Sequence, residues 1–280
     1  MNPFMIVGIV ILVLILLYLL AIKPRGLHKP DWTAFKGYDF AHRGLHNNES
    51  EAPENSMAAF RKAVANKFGI ELDVQLSKDK VPVVFHDFTL KRMCGVEGKV
   101  CDYTLEELKE FRLLDTKEQI PTFQEFLEMV DGKVPLIIEL KIEWMDITLC
   151  PIVNDMLKKY KGAYCIESFN PLGLSWYRRF NNDVIRGQLS EAFVKRGEYK
   201  GFLYFLLQNL LLNWLTKPDF IAYNHEDYKN LSRQICKIVY HTKSVAWTIR
   251  SQKELDEMKA HYDMFIFEGF LPRKQAKIKK

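Results

Sequence analysis

Two histidines, three carboxylates and two cations stand at comparable places along this chain. His42-Arg43-Gly44 closes one short apolar run. Glu71 and Asp73 are spaced i and i+2 in a second run, and Glu139 and Lys141 repeat that spacing in a third. In a strand such pairs share a face. The segment VPVVFHD (81–87) delivers His86 beside Asp87. Carboxylates turned into an apolar interior are costly unless they are paired or bind a cation. Three converging at one rim make an oxygen-rich site for one hard divalent cation, Mg²⁺ or Ca²⁺. Two imidazoles beside it can act as acid and base near neutral pH. Arg43 and Lys141 supply positive charge for an anionic substrate oxygen. The sum points to metal-assisted phosphoester chemistry. Taken singly, a histidine at a strand end is ordinarily structural, and Glu71 and Asp73 read equally well as ion-pair partners. Their joint occurrence at successive strand ends is what resists a structural explanation.

The elements that must position them alternate. Short β-type runs at 38–44, 69–75, 135–141, 163–169, 183–189, 219–225, 244–249 and 263–269 are separated by amphipathic helical stretches. Alternation of this kind predicts an α/β fold, a (β/α)8 TIM-type barrel over residues 38–271, with its site at the C-terminal rim of the strands. A doubly wound open sheet is the alternative. No GxGxxG follows the first strand, so dinucleotide binding has no support. The run 81–87 follows the second strand too closely for a crossover helix and should return as a hairpin. With Lys78 and Asp79 as the turn, Ser77 faces Lys80 and Glu71 faces His86.

Ahead of the barrel, Phe4 to Ile22 pass without a charge. At 1.5 Å per residue they reach about 28 Å, enough to span a bilayer. A cleaved signal peptide would want a cationic start, a shorter apolar core and small residues at its end. Residues 1–22 therefore read as one transmembrane anchor. Lys23, Arg25 and Lys29 on its C-terminal flank place the rest of the chain in the cytoplasm by the positive-inside tendency, as a single-pass protein of the cell membrane. Pro24, Gly26 and Pro30 make residues 23–37 a linker. Residues 272–280 form a basic tail. The stretch 201–215, GFLYFLLQNLLLNWL, is apolar almost all round yet short for a span. It reads as a buried barrel helix, as a second contact with the lipid bilayer, or as a partner-binding face.

Composition excludes several classes. The chain has 280 residues, 48% hydrophobic and 27% charged, which is ordinary globular usage rather than low complexity. The net charge of +5 derives in part from the flank of the anchor and the tail, so it does not argue for nucleic acid. Five cysteines without a CxxC make neither a disulfide framework nor a zinc site.

The segments AHRG (41–44), PENSMAAF (53–60), ELDVQLSKD (71–79), VVFHD (83–87), ELK (139–141), SF (168–169) and AWT (246–248) together resemble the glycerophosphodiester phosphodiesterase family. They occur in that family's order and cover roughly residues 38 to 269. The resemblance implies hydrolysis of a glycerophosphodiester to glycerol 3-phosphate and an alcohol. It implies Glu71, Asp73 and Glu139 as ligands of one divalent cation, His42 and His86 as the acid–base pair, and Arg43 and Lys141 as phosphate-binding groups. Phe169 and Trp247 contact the substrate or are barrel-core aromatics. Pro53 to Ser56 open the first helix, with Asn55 or Ser56 as N-cap and Glu54 able to face the site.

Two departures from the family's pattern stand out. Ile249 and Arg250 follow AWT where relatives carry a polar residue first. The last strand ends FEGFLP (267–272), with Glu268 its only acid. Neither is expected to touch the metal or the histidines, and both bear on the headgroup pocket. Two other functions compete with the leading one. Anchoring and the 201–215 stretch suit lysophospholipase D-like cleavage of a membrane lysophospholipid. A catalytically silent lipid-binding module on the same fold is the other alternative, and retention of all three carboxylates and both histidines argues against it.

Overall fold

The structure is a computed structural model describing residues 2–26, 30–197 and 201–273. Lys29, and residues 274–280 of the expected basic tail, lie outside the described residues. Nine strands run in chain order: β1 (Phe40–Ala41), β2 (Gly69–Leu76), β3 (Pro82–Val84), β4 (Leu136–Leu140), β5 (Tyr164–Ser168), β6 (Arg186–Ser190), β7 (Phe220–Asn224), β8 (Lys243–Ile249) and β9 (Met264–Phe267). The sheet order is β1-β9-β8-β7-β6-β5-β4-β2-β3, and β1 also pairs with β2. That pairing closes eight parallel strands into the expected TIM-type barrel. The ninth, β3, is antiparallel to β2.

Alternation along each strand sorts its side chains. Ile70, Leu72 and Val74 of β2 face outward and join Phe60 and Phe126 of the surrounding helices. Phe40, Ile137, Cys165, Phe220, Val245 and Ile266 face inward and form a separate apolar cluster toward the strand N-termini. Glu71 and Asp73 have the inward parity and lie nearer the C-terminal rim, above that apolar floor. The helices begin where their caps dictate. Ser56 accepts the Ala59 amide at 3.1 Å and starts the helix Met57–Ala65. Thr122 and Glu125 form a capping box for Phe123–Val130. Such caps contribute about 1 kcal/mol each. The N-cap of the first barrel helix is thus Ser56, which frees Asn55 for another contact.

Two expectations need correction. The hairpin does not turn on Lys78 and Asp79 alone. Val74 pairs with Val84, Gln75 with Val83 and Leu76 with Pro82, one residue away from the expected register. Lys80 takes φ 63°, and the amide of Ser77 bonds to the Val81 carbonyl, so the loop has three residues. A two-residue turn needs left-handed residues that Lys-Asp supplies poorly, whereas a three-residue loop needs only its last residue left-handed. The residues read as a linker pack in part on the barrel. Phe35 is 3% exposed, and the Trp32 ring lies 5.6 Å from that of Phe220. These residues close the floor, where Phe40 and Phe220 would otherwise meet water. The second correction concerns one of the three readings of 201–215: the stretch is not one buried helix. It breaks at Leu210, which has φ 56°, into Phe202–Gln208 and Asn213–Thr216. Leu210 and Asn213 are buried, while Phe202, Leu203 and Phe205 are exposed.

The helix Pro3–Ile22 is long and apolar enough to cross a membrane. Its last turn is docked on the barrel. The Tyr18 hydroxyl lies 2.8 Å from Ser232 Oγ, and the Ile22 carbonyl accepts from Asn213 Nδ2 at 3.0 Å. Tyr240 Oη donates to the Leu19 carbonyl at 2.9 Å, and Arg25 pairs with Asp219 at 3.2 Å.

Candidate active site

β2 and β4 are neighbours in register, with Asp73 opposite Glu139. The register brings Glu71, Asp73 and Glu139 together, one carboxylate oxygen from each lying within 4.8 Å of the others. All three are buried. β1 ends at Ala41, and the chain turns through Arg43 at φ 52°. That left-handed turn aims the Arg43 amide at Glu71 Oε2, 3.0 Å away. It also sets His42 Nε2 3.9 Å from the same oxygen. Asn55, left-handed at φ 55°, donates its amide to Asp73 Oδ2 at 2.9 Å. Lys141 Nζ stands 3.0 Å from Glu139 and 3.7 Å from Asp73.

Each histidine carries a carboxylate on the far side of its ring. His42 Nδ1 lies 2.5 Å from Glu268 Oε2, and His86 Nδ1 lies 2.6 Å from Asp87 Oδ1. These bonds leave both Nε2 atoms free to work elsewhere. Despite the shifted hairpin register, His86 is near enough to Asp73 and Glu139 for its charge to favour their ionised forms. β3 ends at Val84, so His86 reaches the site from a loop rather than from a strand position opposite Glu71. A second layer ties the parts together. Glu54 accepts from Arg43 at 2.7 Å, and from Arg92 at 2.7 and 2.9 Å. Arg92 also holds Asp87 at 2.7 Å. One arginine therefore links the His86 dyad to the group that orients Arg43.

Burial and mutual repulsion dominate the titration of the acids. Burial, reinforced by the charges of Asp73, Glu167 and Glu139, pushes Glu71 well above the usual carboxylate range. Burial likewise raises Glu139, against the pull of Lys141. Asp73 is held low: burial opposes ionisation, but the charges of His86, Lys141 and Arg43 outweigh it. Burial, with the charge of Arg43, lowers His42 to about 4. His42 is thus neutral at pH 7, with Nδ1–H donating to Glu268.

The donor set fits a hard divalent cation. Asp73 Oδ1 is buried without a hydrogen-bond partner among the described residues. A carboxylate raised well above its range marks a site short of positive charge. An all-oxygen set of three buried carboxylates is what a hard divalent cation prefers.

The family model described as the glycerophosphoryl diester phosphodiesterase family matches residues 42–264. This chain belongs to that family. Membership places the phosphodiesterase chain among the phosphoric diester hydrolases. It is 44% identical over 239 residues to YhdW of Bacillus subtilis, covering 80% of this chain and 90% of that one. It is 40% identical over 148 residues to a glycerophosphodiester phosphodiesterase of Caldanaerobacter subterraneus, a match spanning 48% of this chain and 58% of that protein. The fold matches an Oleispira antarctica phosphodiesterase solved in complex with the product sn-glycerol-3-phosphate. The TM-score is 0.67 at 23% identity, covering 83% of this chain and 93% of that one.

Within this phosphodiesterase, Phe169 and Trp247 meet edge to face at 5.6 Å and are half-buried near the rim. Sequence reasoning missed Glu167, a further inward acid of β5 paired in register with Glu139. It is 1% exposed, and burial pushes it well above the carboxylate range. The signal was available, since Glu167 shares strand parity with Phe169. The reading of Glu268 also needs correction, because it does touch a histidine. Arg250, the other departure, pairs with it at 2.7 Å. The two unusual residues complete one chain of contacts, Arg250–Glu268–His42. They also line a cleft beside the site with His46, Asn48 and Leu271.

Proposed function

We propose that this site hydrolyses a glycerophosphodiester to glycerol 3-phosphate and an alcohol, with one divalent cation, Mg²⁺ or Ca²⁺, held by Glu71, Asp73 and Glu139. The observation that carries the reading is the approach of those three buried carboxylates to within 4.8 Å, beside two histidines whose Nδ1 atoms are each engaged by a carboxylate. When bound, such a cation supplies Lewis-acid polarisation of a phosphoryl oxygen.

The chain's own residues do the rest. His42 is neutral and takes the proton of the attacking hydroxyl at Nε2. Glu268 then stabilises the imidazolium and keeps the ring in place. His86, oriented by Asp87, gives a proton to the departing alkoxide. Arg43 and Lys141 balance the acidic cluster without substrate and hold phosphate oxygens with it. Glu54 keeps Arg43 from swinging away. Phe169 and Trp247 border the glycerol.

Residues 1–22 act as a single-pass anchor in the cell membrane, with the barrel of residues 38–271 on the cytoplasmic side and 272–280 as a basic tail. The apolar length of Pro3–Ile22 and the cations that follow it support this arrangement.

The test is release of choline from glycerophosphocholine by the full chain, with Mg²⁺, with Ca²⁺ and with chelator. Chelator should abolish turnover, and His86→Ala should reduce it by about 10²–10⁴-fold. Metal-independent activity of Glu71→Ala and Glu139→Ala at the wild-type rate would overturn the assignment.

A further inference from the structure

The docking of the N-terminal helix has a direction. The helix Leu231–Ile238 follows β7, so it starts at the catalytic rim and runs back to the floor. The N-terminal helix meets it in the same sense. Tyr18 bonds to Ser232 near the rim, and the Ile22 carbonyl accepts from Cys236 Sγ, one turn lower, at 3.4 Å. Lys23 and Arg25 then reach Lys217 and Asp219, which precede β7 at the floor. The chain therefore descends from rim to floor as it enters the barrel. Followed backwards, Leu17 to Pro3 continue past the rim for about 22 Å at 1.5 Å per residue. Those residues are exposed, and they are the apolar ones.

Large apolar side chains are exposed at both ends, singly at the floor (Phe180, Trp214, Ile238 and Val239) and as a helical cluster at the rim. Phe202, Leu203 and Phe205 are 74%, 54% and 47% exposed. Their helix, Phe202–Gln208, is tied to the rim ends of β6 and β7. Ser190 Oγ donates to the Leu207 carbonyl at 2.9 Å, and Tyr223 Oη to that of Gln208 at 2.7 Å. Trp144 and Met145, on the loop after β4, are exposed at the same end. Between the site and the exposed helix runs a row of rings. Trp247 and Phe169 lie 5.6 Å apart, Phe169 and Phe193 5.8 Å, and Phe193 and Tyr204 5.7 Å.

We propose that the catalytic rim rests against the bilayer that holds the anchor. Phe202, Leu203 and Phe205 enter its interface, and the site takes a lysophospholipid from it along the aromatic row. This rests on the phosphodiester hydrolysis proposed above and names its substrate class. Water adds hydroxyl to phosphorus, the bond from phosphorus to the headgroup oxygen breaks, and the headgroup alcohol leaves with the other proton. The product is an acylglycerol phosphate that stays in the membrane. An interfacial aromatic and leucine ridge beside an anchor is what a bilayer binds through buried apolar area. A water-soluble diester would need neither the ridge nor the row.

The test uses the full chain in phosphatidylcholine vesicles, with two readouts. Phe205→Trp at the rim and Phe180→Trp at the floor are compared for quenching by brominated acyl chains, after subtraction of wild-type emission. The rim probe should be quenched at least twofold more strongly. Equal quenching, or stronger quenching at the floor, overturns the orientation whatever the enzyme hydrolyses. In the second readout, Phe202→Ser, Leu203→Ser and Phe205→Ser are combined. Cleavage of glycerophosphocholine should stay within twofold of wild type, while that of lysophosphatidylcholine in vesicles falls at least tenfold. Unchanged lysolipid cleavage overturns the docking role. A wild-type chain that cleaves neither substrate counts against the hydrolysis itself, and the quenching then decides the orientation alone.

Discussion

Replacement of Glu268 by glutamine separates charge from geometry at His42. Glutamine keeps a carbonyl oxygen where Glu268 Oε2 accepts from Nδ1, now at 2.5 Å, so the ring stays oriented. It removes the negative charge that stabilises the imidazolium formed when His42 takes a proton. The His42 and Glu268 side chains are 15% and 19% exposed, so solvent screens the pair weakly. A charge-assisted hydrogen bond is worth roughly 1.5–3 kcal/mol, about twice a neutral one. Losing about 2 kcal/mol of that in the transition state slows turnover about 30-fold. The pH dependence adds a sign. Burial and the charge of Arg43 lower His42 to about 4, and Glu268 pulls the other way. Without the carboxylate His42 becomes a still weaker base. The acid limb of kcat/KM therefore moves to lower pH while the plateau falls. The assay is alcohol release from a soluble glycerophosphodiester across pH, with circular dichroism as a check on folding. A plateau within twofold of wild type, or an acid limb moved to higher pH, would refute the role given to Glu268.

Two further predictions concern the rest of the molecule. Burial raises Asp39 from 3.8 to about 6, outweighing the charge of Lys259. Between those values the folded chain holds a proton that the unfolded chain has released, so stability falls as pH rises through the window. Asp39→Asn should stabilise the protein at pH 7 by at most about 3 kcal/mol and make no difference at low pH, where both states are protonated. Thermal melts at the two pH values check this, and an equal effect at both would count against it. For the anchor, a C-terminal reporter should resist protease in intact cells and become sensitive on lysis. Free digestion before lysis would reverse the proposed topology.

Much of the site was legible because strand geometry is local. Side chains at i and i+2 share a face whatever the strand packs against, so Glu71 with Asp73 and Glu139 with Lys141 could be paired from spacing alone. Eight alternations of strand and helix were enough for the barrel, since a parallel sheet of that length with helical crossovers has few ways to close. The apolar length of residues 4–22 was equally plain, because span length depends only on helix rise and hydropathy.

Other features waited for the tertiary structure. Glu268 and His42 are 226 positions apart and meet only because β9 lies beside β1 at the closing seam of the barrel. No local pattern encodes that neighbour, which is why an apparent departure from the family turned out to be the partner of a histidine. The hairpin register depended on one left-handed lysine, Lys80, and the energy separating a two-residue turn from a three-residue one is too small for composition to decide. The direction of the N-terminal helix depended on which barrel helix Tyr18 and Ile22 found. Hydropathy carries length but no bearing, and only packed contacts at both ends of a helix can tell the rim from the floor.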